Sequence, residues 1–136
     1  MAYWLVKTEP GAWSWQDQVK AGTTHWHGVR NYQAANNMKA MRLGDQVFFY
    51  HSVAERRIVG IVEVSKLYYP DPSDASGRFG MVDLTLVRPL PLPVSLDQIK
   101  LDPALSHLAL VRNSRLSVQP VDETAWRHIC HRAGIT

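Results

Sequence analysis

Apolar positions along this chain follow two rhythms: short runs of strand formers, and brief helical stripes set between them. Residues 2–8 hold Tyr3, Trp4, Leu5 and Val6, apolar on both faces, which predicts a central strand. Glu9-Pro10-Gly11 ends it, because Pro lacks the ladder donor and Gly frees the turn. Ser14 with Asp17 three residues on is a capping box, and it opens a short helix that is spent by Gly22. Thr23 to Arg30 is predicted as a loop. Ala34, Met38 and Met41 recur at i, i+4 and i+7 and predict a second helix over about 31–41. Gly44 is expected at the left-handed position after that helix, with Arg42 in the last turn facing the dipole.

Three further strands are predicted over 46–51, 57–69 and 79–90. The first carries Val47-Phe48-Phe49-Tyr50. The second carries Ile58, Val59, Ile61, Val62 and Val64 around Gly60, a candidate bulge or bend. In the third, Val82, Leu84 and Leu86 alternate with Asp83 and Thr85, as in a strand with one wet face. Pro89, Pro91 and Pro93 are expected to stop it. The loop 70–80 is rich in Pro, Asp, Ser and Gly and is expected to be exposed. Ser95 and Gln98 form a second capping box, with Val94 and Ile99 as a hydrophobic staple. Leu108 to Val111 suits either a short strand or a helical turn. Leu116 to Val121 reads as extended because of Pro120. Asp122 caps a last helix whose Ala125, Trp126, Ile129 and Cys130 face a core, and Gly134 ends it. No repeat or composition break divides the chain, so 1–136 is expected to form one domain. About five strands with short inserted helices make an α+β fold, with antiparallel pairing and a small barrel or strongly bent sheet.

Composition changes this picture little. The 136 residues are 46% hydrophobic and 20% charged, enough for a sizeable core. Fifteen Lys and Arg against 12 Asp and Glu give a net charge of +3. That permits an anionic partner without demanding one, and the longest cationic run is only Arg56-Arg57. Cys130 is the sole cysteine, so a reducing compartment is expected. Lys7 and Glu9 interrupt the first apolar run too early for a secretory segment. No apolar stretch is long enough to span a membrane. The expectation is a cytoplasmic protein, nuclear if eukaryotic, with no membrane partner.

The chemistry points to binding more than to catalysis. His25, His27, His128, Cys130 and His131 lack the paired spacing of a zinc site, so no metal is expected. No nucleophile elbow, phosphate loop or close carboxylate pair occurs. Cys130 reads as an inert buried thiol. Glu9 stands in a suggestive place at a strand end, but an ion pair with Lys7 or Arg30 explains it more simply. Trp26-His27-Gly28-Val29-Arg30-Asn31-Tyr32 packs two aromatics, a cation and an amide into seven residues. An indole can stack on a base, an amide can read a base edge and an arginine can hold a phosphate. Taken alone, the heptapeptide equally suits core aromatics and a surface charge. Arg112-Asn113-Ser114-Arg115-Leu116-Ser117-Val118-Gln119-Pro120 offers hydroxyls and an amide for a hydrogen-bonding wall. Taken alone, it suits a solvated loop better.

Together, several segments resemble the EVE domain. They are Tyr3 to Pro10, Trp26 to Ala34, Gly44-Asp45, Phe49-Tyr50-His51-Ser52, Val59-Gly60-Ile61 and Ser114 to Pro120, in order across nearly the whole chain. The resemblance implies a PUA-like fold, a small mixed β-barrel of about five to six strands with flanking helices, related to YTH and ASCH domains. It implies a nucleic-acid-binding module of DNA or RNA with a pocket for one base, a modified cytosine foremost, and neither a cofactor nor a firm catalytic role. It puts Trp26, Val29, Arg30 and Asn31 at the pocket, with Tyr50, His51 and Ser52 from an adjoining strand end. Ser114, Arg115, Ser117 and Gln119 would form the opposite wall, and Lys7 and Glu9 the rim. Arg112 joins Arg115 as a phosphate contact. His27 departs from the acidic or small polar residue expected there. The alternative is an enzyme acting on a nucleobase or nucleotide, a glycosylase or RNA-processing hydrolase with Glu9 or His51 as acid or base.

Overall fold

The computed structural model describes residues 1–135. Six strands form one sheet: β1 (Tyr3–Thr8), β2 (Thr23–His25), β3 (Gln46–His51), β4 (Arg57–Pro70), β5 (Gly80–Ser95) and β6 (Val118–Val121). Their order across the sheet is β2-β5-β4-β3-β1-β6. Only β1 and β3 run parallel. The chain between them returns through α1 (Trp15–Ala21), β2 and α2 (Tyr32–Ala40), the long crossover that parallel pairing requires.

Both faces of the sheet are buried, which is why β1 and β3 read as apolar runs. Trp4, Val6, Val47 and Phe49 face one core together with Ala34 and Met38 of α2. Leu5, Phe48 and Tyr50 face the other, with Ile99 of α3 (Leu96–Lys100), Leu110 of α4 (Ala109–Arg112) and Trp126 and Ile129 of α5 (Glu123–Arg132). The Phe48 and Trp126 rings stack at 3.7 Å. α2 touches β6 at one end of the strand order and β5 near the other. The sheet is therefore plugged by a helix, and β2 and β6 do not pair to close it as a barrel.

Both capping boxes form. Ser14 accepts from Asp17 N while Asp17 accepts from Ser14 N, and Ser95 and Gln98 do the same. Residues 109–112 are helical. Three local expectations are corrected. Thr23–His25 is a strand, held against Thr85, Leu84 and Asp83, with the Thr23 and Thr85 hydroxyls 2.9 Å apart. A three-residue strand is too short to show alternation. β5 does not stop at its prolines. Pro89 pairs with Gly60 and Val94 with Ile58, so residues 90–93 stand opposite Val59 alone. Pro91 and Pro93 thus sit in a wide bulge that asks them for no ladder donor. α2 ends at Ala40, and Gly44 (φ +85°) makes a separate turn into β3. Gly60 is required at the bulge itself, because a Cβ there would fall inside the Trp15 indole.

Candidate functional site

Residues 26–30 cross irregularly from β2 to α2, and buried groups hold them in place. Trp26 N donates to Val82 O (2.8 Å), and its ring meets Phe49 edge-on at 5.7 Å between centroids. The anchor of this loop is Asp71, 43 residues beyond Gly28 and only 2% exposed. Its Oδ2 accepts from Gly28 N (2.8 Å) and Arg30 Nη1 (3.1 Å). Its Oδ1 accepts from Ser73 N (2.8 Å) and Ser73 Oγ (2.6 Å). Burial alone would raise the pKa of this carboxyl. The donors of Ser73, Gly28 and Arg30 outweigh it and hold Asp71 well below the ordinary carboxylate range.

Beside this loop lies a cavity of about 330 Å³, lined by Lys7, Thr8, Ala12, Trp13, Thr24, His25, Trp26, His27, Gly28, Val29, Arg30 and Ser117. That is near the small end of the roughly 300–1,000 Å³ typical of ligand pockets. Trp26 is 8% exposed. Its indole N–H has no acceptor among the described residues. No buried side-chain polar atom among them lacks a partner, so this N–H reaches solvent. Trp13 Nε1 donates to Gln18 Oε1 (2.9 Å), and Gln18, fully buried, is fixed by donating to Gly22 O (3.2 Å) and Leu84 O (3.1 Å). The Thr8 hydroxyl donates to Trp13 O (2.9 Å), so it has lone pairs left for a ligand donor. Lys7 Nζ donates to Ser114 O (2.8 Å), and burial pulls its pKa below the ordinary lysine value. Lys7 N also donates to Ser117 O (2.9 Å), which ties the β1 end to the segment before β6.

Of the expected site residues, the structure brings Trp26, Val29, Arg30, Lys7 and Ser117 together. Asn31 does not line the cavity. Its Oδ1 caps α2 by accepting from Ala34 N (2.9 Å). Arg30 lines the cavity, but Asp71 and Ser73 already engage its guanidinium, and Glu9 pairs with neither it nor Lys7. Tyr50 faces the opposite core, where burial raises its pKa. His51, 6% exposed, accepts from Trp15 N at Nε2 (2.9 Å) and donates from Nδ1 to Glu55 (2.6 Å). That fixes a neutral tautomer in a different concavity, with Trp15, Glu55 and Pro93. Ser52 is joined through its N–H to Thr8 O (2.9 Å) but lies outside the lining. Ser114 and Arg115 are exposed, and Gln119 is buried, donating to Leu116 O (2.9 Å). Arg112 lines a separate, larger cleft of about 610 Å³ beside Tyr3, Trp4, His107 and Asp122.

The sequence reading missed Trp13, Thr8, Thr24 and His25. The one local signal for Trp13 was an aromatic two residues past the Pro10-Gly11 turn. His25 belongs to a polar cluster at the cavity edge. Its Nδ1 lies 2.8 Å from Asp83 Oδ1 and 2.9 Å from the Tyr69 hydroxyl, which donates to the same Asp83 oxygen. Burial and that carboxylate push the Tyr69 phenol up to about 12. Among the described residues no three His, Cys, Asp or Glu side chains are grouped to hold a metal, and no helix is long and apolar enough to cross a membrane.

The cavity therefore combines two indoles, aliphatic contacts, spare hydroxyls and a lysine, drawn from four separate segments. Comparison with known proteins gives this geometry a context. The EVE domain family model matches residues 2–132. Thymocyte nuclear protein 1 of Gallus gallus is 37% identical over 156 residues, covering 89% of this chain. The chain spans 64% of the length of that relative. A crystal structure of a protein from Agrobacterium tumefaciens matches with a TM-score of 0.96 at 47% identity, covering 99% of this chain and 94% of that one. The structure of the human THYN1 protein in complex with 5-methylcytosine containing DNA matches with a TM-score of 0.88 at 30% identity, covering 100% and 99% of the two chains.

Proposed function

Because this chain belongs to the EVE domain family, we propose that it is a non-catalytic reader of DNA that holds one modified cytosine in the 330 Å³ cavity. The observation that carries this reading is the convergence of Trp13 and Trp26 with Lys7, Thr8 and Ser117 on one slot. The human relative solved with 5-methylcytosine containing DNA, which matches the chain end to end, supports it.

The chemistry is complementary to cytosine. A base inside a duplex hides its pairing edge, so it must be flipped out to be read this way. An indole face supplies stacking worth about 1–3 kcal/mol per base. The Thr8 hydroxyl, its proton committed to Trp13 O, accepts from an exocyclic amino group. Lys7 Nζ keeps two protons free, and the Ser117 hydroxyl can donate; both suit the ring nitrogen and carbonyl acceptors of cytosine. Ala12 and Val29 offer apolar contact to a 5-methyl group. An enzymatic reading gains no support here. Glu9 is exposed outside the lining, and both ring nitrogens of His51 are occupied by Trp15 and Glu55.

The test is a titration of the wild type and Trp26→Phe against matched DNA and RNA oligonucleotides, each with cytosine or 5-methylcytosine. The Phe variant keeps an aromatic against Phe49, and circular dichroism checks its fold. The wild type is expected to prefer methylated DNA, and Trp26→Phe to lose about tenfold of that affinity through its smaller stacking face and missing N–H. Equal affinity of the wild type for modified and unmodified strands, or a preference for RNA, overturns the proposal.

A further inference from the structure

Next to the mouth of this cavity lies an aromatic and cationic shelf that the base pocket does not use. Tyr32, the first residue of α2, is 61% exposed. It packs against Phe79 of the 70–80 loop, centroids 4.9 Å apart and planes tilted by 36°. The Arg30 guanidinium stands 5.8 Å from the Phe79 ring, and its side chain is 39% exposed although it also pairs with Asp71. Arg78 beside Phe79 is exposed. About two turns further along α2 the pattern repeats, with Lys39 Nζ 5.5 Å from the Tyr68 ring. The Tyr68 hydroxyl accepts from Gly80 N (2.6 Å), so the two aromatic stations are mechanically joined. The nearby acid Asp74 is turned into its own loop, accepting from Phe79 N (2.7 Å) and from Ser76 N and Oγ (3.0 and 2.6 Å).

A ring left mostly in water at the start of a helix, backed by a second ring and flanked by cations, is a stacking platform with phosphate contacts alongside. Arg30 connects it directly to the cavity, since the same side chain lines the pocket and faces Phe79. We propose that the Tyr32–Phe79 shelf is a second subsite that stacks the nucleotide adjacent to the captured base, with Arg30, Arg78 and Lys39 along its backbone. This inference rests on the base-pocket reading and adds the path of the strand outside it. The competing role for Tyr32, pinning the 70–80 loop to α2, changes stability without changing which part of a nucleic acid is felt.

The experiment compares the wild type, Tyr32→Phe and Tyr32→Ala on five probes. These are a 5-methylcytosine oligonucleotide, its cytosine counterpart, versions with an abasic spacer on either side of the modified base, and free 5-methyl-2′-deoxycytidine. Tyr32→Ala is expected to weaken both oligonucleotides about tenfold, leave the modified-to-unmodified ratio unchanged and leave nucleoside affinity unchanged. Tyr32→Phe is expected to bind like the wild type. The Tyr32→Ala loss is expected to vanish on one of the two abasic probes. An unchanged oligonucleotide affinity, or an equal loss on the free nucleoside, overturns the shelf. A wild type with no preference for the modified base overturns the pocket reading instead, so the two failures are distinct.

Discussion

Replacing Asp71 with asparagine tests whether the pocket loop is held by one buried carboxylate. The side chain is fully buried and its two oxygens receive four hydrogen bonds, two from Ser73, one from Gly28 and one from Arg30. Asparagine has the same shape but turns one oxygen into a donor. Whichever way the amide is placed, donors then face donors on one side. If that side is Gly28 and Arg30, a backbone N–H loses its acceptor at a cost of about 1–3 kcal/mol. Arg30 is 39% exposed and regains much of its loss from water, so its share is discounted. We expect Asp71→Asn to cost about 2–3 kcal/mol in urea denaturation at pH 7 with an unchanged slope. We also expect faster hydrogen exchange at Gly28.

The pH dependence has a definite sign. The pKa of Asp71 is depressed on folding, so its contribution is complete above the unfolded value of about 3.9 and fades as pH falls toward the lower folded value. The gap between the wild type and Asp71→Asn should therefore hold from pH 7 to about 5 and narrow steadily below about 4. A difference under about 0.5 kcal/mol at neutral pH, or a gap that persists unchanged into strong acid, refutes the reasoning.

Two other substitutions address the frame around the site. Gly60→Ala places a methyl inside the Trp15 indole and should cost about 1–3 kcal/mol by thermal or urea unfolding; a neutral outcome would mean that Trp15 moves away freely. Tyr69→Phe should remove a phenol that ionises near pH 12 from the ultraviolet titration of the folded protein. Because that phenol's pKa is raised on folding, the wild-type stability margin over the variant should shrink between about pH 10 and 12, and an unchanged margin contradicts the assignment.

Local features of the fold were legible wherever the signal was local. Ser14 with Asp17, Ser95 with Gln98, and Asp122 all cap helices as their spacing predicts. The pocket was legible only in part. Trp26 and Val29 announce themselves in one segment, but the group that shapes their loop, Asp71, lies more than forty residues away in a stretch that reads as solvent-exposed. Tyr50 and His51 look like site residues in sequence. Alternation shows that they point to opposite faces of β3 but not which face carries a cavity, and here both faces are packed. Asn31 carried the right chemistry for reading a base, and its oxygen is spent on the helix it begins. Trp13 was hidden because its orientation depends on Gln18, whose own position is set by the carbonyl of Leu84, 66 residues further on.

The central claim, that one slot beside Trp26 receives a modified cytosine, is tested most directly by following backbone and indole N–H resonances while a 5-methylcytosine DNA oligonucleotide is added. The account predicts that Gly28, Val29, Ser117 and the Trp26 indole shift first and saturate together, and that the unmodified strand at the same concentration moves them far less. Shifts gathered instead around Tyr3, His107 and Arg112, or an identical response to both strands, would contradict it.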